Sequence, residues 1–155
     1  MAKNYGKAFE KKFKADWEKS FPEGTIDRIY DTTNGYKTIS NVADFIGYSF
    51  PNIMYMECKS HLGNVWPFTC FTQYEKLLSK VGISGVIAGV VLWMIDHDTV
   101  VFLPVEEIQK MKPDGLKSFH IKMLNEKMYN IIKIPSEKKR VFLDSDYSVL
   151  QNRGV

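Results

Sequence analysis

Three charged residues of types that serve phosphate chemistry lie close together in the chain: Asp44, Glu57 and Lys59. Side chains alternate between the two faces of a strand, so a strand over residues 53–59 would place Glu57 and Lys59 on one face. A half-buried strand normally carries apolar residues at such positions, and a local rule that is broken often marks a functional site. The alternate residues of that strand, which suit a hydrophobic core, are Met54, Met56 and Cys58.

A turn over residues 50–52 would fold this strand into a hairpin in which Asp44 falls opposite Glu57. Directly opposed residues of a hairpin have Cβ atoms roughly 5 Å apart, and like charges there destabilise the sheet. A divalent cation between the carboxylates would remove that penalty, and hard oxygen ligands suit Mg²⁺. Mn²⁺ could substitute for it, and the backbone carbonyl of Cys58 could add a third protein oxygen.

The chemistry that such a site supports is hydrolysis of a phosphodiester. A bound Mg²⁺ lowers the pKa of a coordinated water and stabilises charge on the phosphate under attack. Lys59 would orient that water and offset the developing negative charge. A solvated strand face explains most isolated Glu-x-Lys triplets, so the matching position of Asp44 is what favours the metal site.

The surrounding pattern predicts an α/β fold, a central mixed sheet flanked by helices, in one domain over residues 1–155. Aromatic residues at steps of four predict a first helix over residues 4–21, namely Phe9, Phe13, Trp17 and Phe21. Further helices are expected at 72–81 and 106–111, and strands at 25–31, 44–48, 53–59, 85–95 and 99–103. Residues 31–41 are expected to form a loop or protruding hairpin, and residues 117–155 to hold one helix and strands at 130–134 and 141–143.

Composition is that of a soluble globular protein, with 155 residues and a formal charge of +3. This balance permits nucleic-acid binding without arguing for it. Cys58 and Cys70 form no C-x-x-C pattern, so neither a disulfide framework nor a zinc site is expected. The lysine-rich residues 1–14 lack a secretory apolar core, and the longest apolar run, 86–95, is too short to span a bilayer. We therefore expect a cytoplasmic protein that does not contact a membrane.

The segment from Glu57 to Leu77, ECKSHLGNVWPFTCFTQYEKL, resembles the active-site region of RecU-type Holliday junction resolvases. It is most similar to the short versions carried by phages of Gram-positive bacteria, in which an E-x-K strand leads through a proline-containing loop to a glutamine-bearing helix. The opening NYGKAFE, residues 4–10, also resembles the family's first helix, and Asp44 stands where the family has its first metal carboxylate. The resemblance covers roughly residues 5–103, and residues 44–77 carry most of its weight.

The resemblance implies a restriction-endonuclease-like core and a homodimer with two Mg²⁺-dependent active sites that nicks branched DNA, four-way junctions above all. It makes Asp44 and Glu57 metal ligands and Lys59 the catalytic lysine. Glu10 would assist from the first helix, and Gln73 would lie near the metal. A phage-encoded protein would act in the host cytoplasm.

The expected DNA contacts are Arg28, Tyr36, Lys37 and His61. Family members often have a long stalk that enters the junction, whereas the equivalent segment here, residues 31–42, is brief. Two alternatives therefore stay open: a nuclease of the same fold that cuts duplex or other branched DNA, and a non-catalytic protein that binds or bridges DNA.

Three of these residues also have plainer explanations. Glu10 on a lysine-rich helix could pair with Lys7 or Lys14 at helical spacing. His61 could be an ordinary surface histidine, and Gln73 an ordinary helix former near a helix start.

Overall fold

The computed structural model describes residues 4–34, 37–39 and 41–151, and the alternating and continuous apolar runs of the chain form strands in it. The strands are β1 (Thr25–Arg28), β2 (Thr32–Asn34), β3 (Lys37–Ile39), β4 (Phe45–Ser49), β5 (Asn52–His61), β6 (Val65–Pro67), β7 (Val86–Met94), β8 (Thr99–Pro104), β9 (Ser118–His120), β10 (Ile132–Ile134), β11 (Ser136–Lys138) and β12 (Leu143–Ser145). The α-helices are α1 (Tyr5–Ser20), α2 (Tyr74–Leu78) and α3 (Val105–Met111), and short 3₁₀ helices lie at Phe68–Cys70, Ile95–His97, Ile121–Asn125 and Tyr147–Leu150.

The central sheet has six strands in the order β1-β4-β5-β7-β8-β10. β5 and β7 are parallel, and the other neighbours are antiparallel. A parallel pair needs a crossover connection, and the segment that contains α2 supplies it here. β7 is buried along almost its whole length, as its continuous apolar run predicted.

One face of the sheet packs against α1 through the predicted aromatic stripe. Its four aromatic side chains are all buried, and they share one core cluster with the side chains of β5 that alternate with the charged ones. Those β5 residues are Met54, Met56 and Cys58. The aromatic periodicity of α1 and the alternation of β5 therefore fix which face of β5 points into this core.

The C-terminal segment closes the same core. Tyr147 is fully buried and its ring lies edge-on to Phe13, with 4.9 Å between the ring centroids. Lys12 of α1 lies 2.6 Å from a carboxylate oxygen of Asp144, and the backbone N–H of Tyr147 donates to Ser20 Oγ at 2.9 Å. The first and last described elements, α1 and the 3₁₀ helix Tyr147–Leu150, are thus joined by packing and hydrogen bonding.

The opposite face of the sheet is covered by α2, α3 and the loop that follows β5. The core cluster on this side includes Trp66, Phe68, Leu77 and Ile108. Trp66 and Phe68, which flank Pro67, are core residues because both side chains are buried.

Several predicted elements are shorter than the sequence pattern indicated. α2 covers only Tyr74–Leu78, because the chain then tightens into turns in which the Lys80 N–H bonds to the Leu77 carbonyl. The helix expected in the C-terminal part is a 3₁₀ helix of five residues, Ile121–Asn125, which lies between short strands. The segment 31–41 contains the hairpin β2–β3, in agreement with the hairpin alternative.

Two further expectations concern membranes and disulfides. No helix in the described part of the chain is long and apolar enough to cross a bilayer. Cys58 is buried, Cys70 is exposed, and both are free thiols, as the absence of a paired cysteine pattern predicted.

A glycine in β4 provides a test of the packing between α1 and the sheet. A Cβ atom at Gly47 would lie 2.6 Å from Cζ2 of Trp17, well inside van der Waals contact. We expect Gly47→Ala to lower the free energy of unfolding by about 1–3 kcal/mol, because the indole must shift in a filled core. Urea denaturation of the purified variant measures this change.

The matched control is Gly6→Ala in α1, where the added Cβ would meet only Asn4 Oδ1, at 3.7 Å. That change should leave stability unchanged or raise it by up to about 1 kcal/mol, since alanine favours the helix. Equal stability of Gly47→Ala and the parent protein would contradict the packing of α1 described above.

Candidate active site

The pairing of β4 with β5 brings two acidic residues together. Phe45 pairs with Met56, and continuing this antiparallel register by one residue places Asp44 opposite Glu57. One carboxylate oxygen of Asp44 accepts a hydrogen bond from the backbone N–H of Cys58 at 2.9 Å. This bond fixes the Asp44 side chain against β5, next to Glu57, in the arrangement expected from the sequence.

Glu57 is the most deeply buried carboxylate of this cluster, with 3% of its surface exposed. Its Oε1 lies 3.3 Å from Nζ of Lys59, while its Oε2 is buried and has no hydrogen-bond partner. Burial, and then the negative charge of Asp44, raise the pKa of Glu57 to about 7, against the smaller opposing effect of Lys59. The position therefore holds a carboxylate that lacks a full set of partners.

Glu10 joins the cluster from α1 through Arg28. The guanidinium of Arg28 donates from Nε to Oε2 of Glu10 at 3.3 Å, and its Nη1 lies 3.7 Å from Oδ1 of Asp44. Burial raises the pKa of Glu10, and the charge of Arg28 partly offsets this effect. Glu10 thus contacts an arginine of the site, whereas the alternative was a pairing with Lys7 or Lys14.

Arg28 has a role that the sequence did not reveal. It stays a predicted DNA contact, and the structure adds that it lies among the carboxylates, where it also bonds to the carbonyl oxygens of Ile29 and Asp44. Its guanidinium carbon lies 5.5 Å from the centre of the Phe45 ring. The position depends on the pairing of β1 with β4, in which Arg28 faces Phe45, and no local sequence signal reports that pairing.

The remaining predicted site residues are Gln73, His61, Lys37 and Tyr36. Gln73 directly precedes α2 and is buried, and its Oε1 has no hydrogen-bond partner. His61 ends β5, two residues beyond Lys59, and is partly exposed. Lys37 lies in β3 opposite Asn34, and Tyr36 lies outside the described residues.

The oxygen atoms of this cluster suit a divalent cation. Within the described ranges, no three side chains of His, Cys, Asp or Glu form a ready-made metal site. Asp44 and Glu57 nevertheless present two carboxylates to one another, and the orphaned Oε2 of Glu57 is a buried acceptor that a cation would satisfy. Mg²⁺ often binds through one or two carboxylates and keeps several waters, so these residues fit it. The carbonyl of Cys58 remains a predicted ligand.

Comparison with known proteins identifies the fold. No protein-family model matches the chain, and no curated protein matches its sequence. The chain is similar to the 1.6 Å structure of Hjc, a Holliday junction resolvase from the archaeal hyperthermophile Archaeoglobus fulgidus. The TM-score is 0.51 and the sequence identity 17%, over 66% of this chain and 78% of the resolvase. The likeness confirms the predicted α/β fold, a restriction-endonuclease-like core with a central mixed sheet flanked by helices.

The pKa of Glu57 predicts how stability depends on pH. Because this pKa is about 7 in the folded chain against an ordinary value of 4.5, the folded state binds the proton more tightly. The favourable contribution is complete below pH 4.5 and is lost as pH rises through 7, at a cost of about 3 kcal/mol. Residue 57 cannot ionise in the Glu57→Gln variant, so the stability of this variant relative to the parent protein should rise between pH 4.5 and 7.5.

Urea denaturation at several pH values, with a chelator present, measures this difference. Glu126→Gln, a change at an exposed residue, is the control and should give a curve parallel to that of the parent protein. A Glu57→Gln curve that is also parallel would contradict the described burial of the carboxylate.

Proposed function

We propose that this chain is a Mg²⁺-dependent endonuclease that resolves four-way DNA junctions by paired cleavage of phosphodiesters. The observation that carries the proposal is the opposition of Asp44 and Glu57, with Lys59 3.3 Å from Glu57, in a chain that shares its fold with a Holliday junction resolvase. The resemblance of residues 57–77 to RecU-type enzymes of phages supports the same substrate.

Each charged group of the site has a defined task in this proposal. A bound Mg²⁺ would supply an activated water and neutralise negative charge on the phosphate. Asp44, fixed by the Cys58 N–H, and Glu57, with its unpartnered Oε2, would hold the ion. Lys59 has a side chain that is 30% exposed, so its ammonium can turn from Glu57 towards a phosphate oxygen and stabilise the charge that develops there.

Glu10 and Arg28 act on the site from the neighbouring elements. The Arg28 guanidinium lies between the carboxylates of Glu10 and Asp44 and reduces their mutual repulsion. Glu10 is proposed to assist at the metal from the first helix, and Gln73, whose buried Oε1 has no hydrogen-bond partner among the described residues, is proposed to lie near it. His61, Tyr36 and Lys37 are proposed to contact DNA beyond the reacting phosphate.

Resolution of a four-way junction needs two symmetric cuts, so we infer that the enzyme works as a homodimer with one site in each subunit. The alternative is a nuclease of the same fold that cuts duplexes or other branched DNA. The short hairpin β2–β3, with three residues in each strand, favours this alternative, because it offers little length to enter a junction centre.

Cleavage of synthetic DNA tests the proposal. We expect the protein with Mg²⁺ to nick four-way junctions in pairs, and a chelator to abolish this. Glu57→Gln and Lys59→Met should each lower turnover by roughly 10²-fold or more, because the first removes a proposed metal ligand and the second removes positive charge at the phosphate. The controls Glu126→Gln and Lys133→Met make the same chemical changes at exposed positions and should cleave like the parent protein.

The outcomes separate the candidate functions. Equal rates on junctions and on linear duplexes of the same sequence would favour the duplex nuclease. Salt-dependent DNA binding without product at any metal concentration would support a non-catalytic DNA-binding protein. A parent protein no more active than Glu57→Gln would overturn the enzymatic proposal.

A further inference from the structure

A cleft of about 550 Å³ lies beside the carboxylate cluster, and most of the residues that line it are lysine or arginine. It is bounded by three lysines of α1 and by Arg28 and Glu10, with Tyr30 and Phe45 completing the wall. The three lysines are Lys7, Lys11 and Lys14. The chain as a whole carries a formal charge of only +3, so this cleft is a local concentration of positive charge.

The lysines form a row because of their spacing. Residues four and three apart on a helix lie one above another on the same face. Lys7 to Lys14 spans seven residues, or about 10 Å along the helix axis. Duplex DNA advances 3.4 Å per phosphate along each strand, so a row of this length lies alongside about four phosphates, enough for each of the three lysines to reach one.

The lysine side chains are largely available to a ligand. Lys7 and Lys11 are exposed, and neither has an ion-pair partner among the described residues. Lys14 lies 3.1 Å from Glu18, but both side chains are partly exposed, and an exposed pair of this kind contributes little. A phosphate could therefore replace Glu18 at small cost.

We propose that this cleft binds the sugar–phosphate backbone of the DNA strand that leads into the carboxylate cluster, with Lys7, Lys11 and Lys14 on successive phosphates. The proposal rests on the proposed function, because the bound strand is the one to be cut. Glu10 and Arg28 belong to both the cleft and the cluster, so a strand held by the lysines arrives next to Asp44. Contacts to phosphates position DNA without reading its bases, so the strand's base sequence should not matter.

Salt-dependent binding of the full chain tests this assignment. The triple variant Lys7→Gln, Lys11→Gln, Lys14→Gln removes the three charges and keeps residues with similar helix propensity. Each lost phosphate contact reduces the slope of log Kd against log salt by about 0.9, so the slope should fall by up to about 2.7. At 50 mM salt, we expect Kd for a labelled duplex or four-way junction to rise at least about tenfold.

The matched control carries Lys122→Gln, Lys127→Gln and Lys133→Gln, three exposed lysines of the segment that ends in β10 at the far edge of the sheet. Binding is measured by fluorescence anisotropy from 50 to 200 mM salt with a chelator, and cleavage with Mg²⁺ is measured separately. The control should retain the parent slope. A cleft variant with the parent slope, or a control with the same loss, would overturn the inference.

These two measurements distinguish the inference from the proposed function. If the parent protein cleaves DNA while the cleft variant keeps its full slope, the cleft assignment is contradicted and the proposed enzymatic function is supported. If the slope of the cleft variant is reduced but the parent protein does not cleave DNA, the cleft assignment is supported and the proposed enzymatic function is contradicted. Poly-L-glutamate that displaces DNA from the parent at equal charge concentration would instead assign the cleft to an acidic polypeptide and overturn the inference.

Discussion

The pairing of β4 with β5 is the constraint on which the site depends. Side chains alternate along each strand, so a slip of one residue would turn Glu57 into the core beneath α1 and Cys58 towards the opposite layer. Burial of Met56 and its neighbours against the aromatic stripe of α1 prevents that slip. The core on one side of the sheet therefore determines where the acidic residues stand.

This geometry concentrates negative charge, and the surrounding groups compensate it unequally. Asp44 receives a backbone N–H and lies near Arg28, whereas Glu57 has Lys59 on one oxygen and nothing on the other. An unpaired buried acceptor is costly, and a cation that satisfied it would stabilise the folded chain as well as equip it for hydrolysis. If a cation binds as proposed, its affinity and the folding stability are linked through one oxygen atom.

The parts of the fold that could be predicted are those with long, regular patterns. The stripe of α1 and the apolar run of β7 each repeat often enough to indicate their structure alone. β10, β11 and β12 have three residues each, too few to show a period. Asp44 and Glu57 were predictable because a hairpin is local, but the position of Arg28 depends on a strand pairing that brings it opposite Phe45, 17 residues away. Glu10 and Gln73 were singled out through the family resemblance.

The fastening of α1 to the C-terminal segment has a consequence for the order of events during synthesis. α1 is synthesised before Tyr147 and Leu150, which complete the core against it. The helix that carries Glu10 therefore cannot complete its packing until those two residues have been made. A chain that stops short of Tyr147 would therefore lack part of the packing that holds α1 and Glu10 in place.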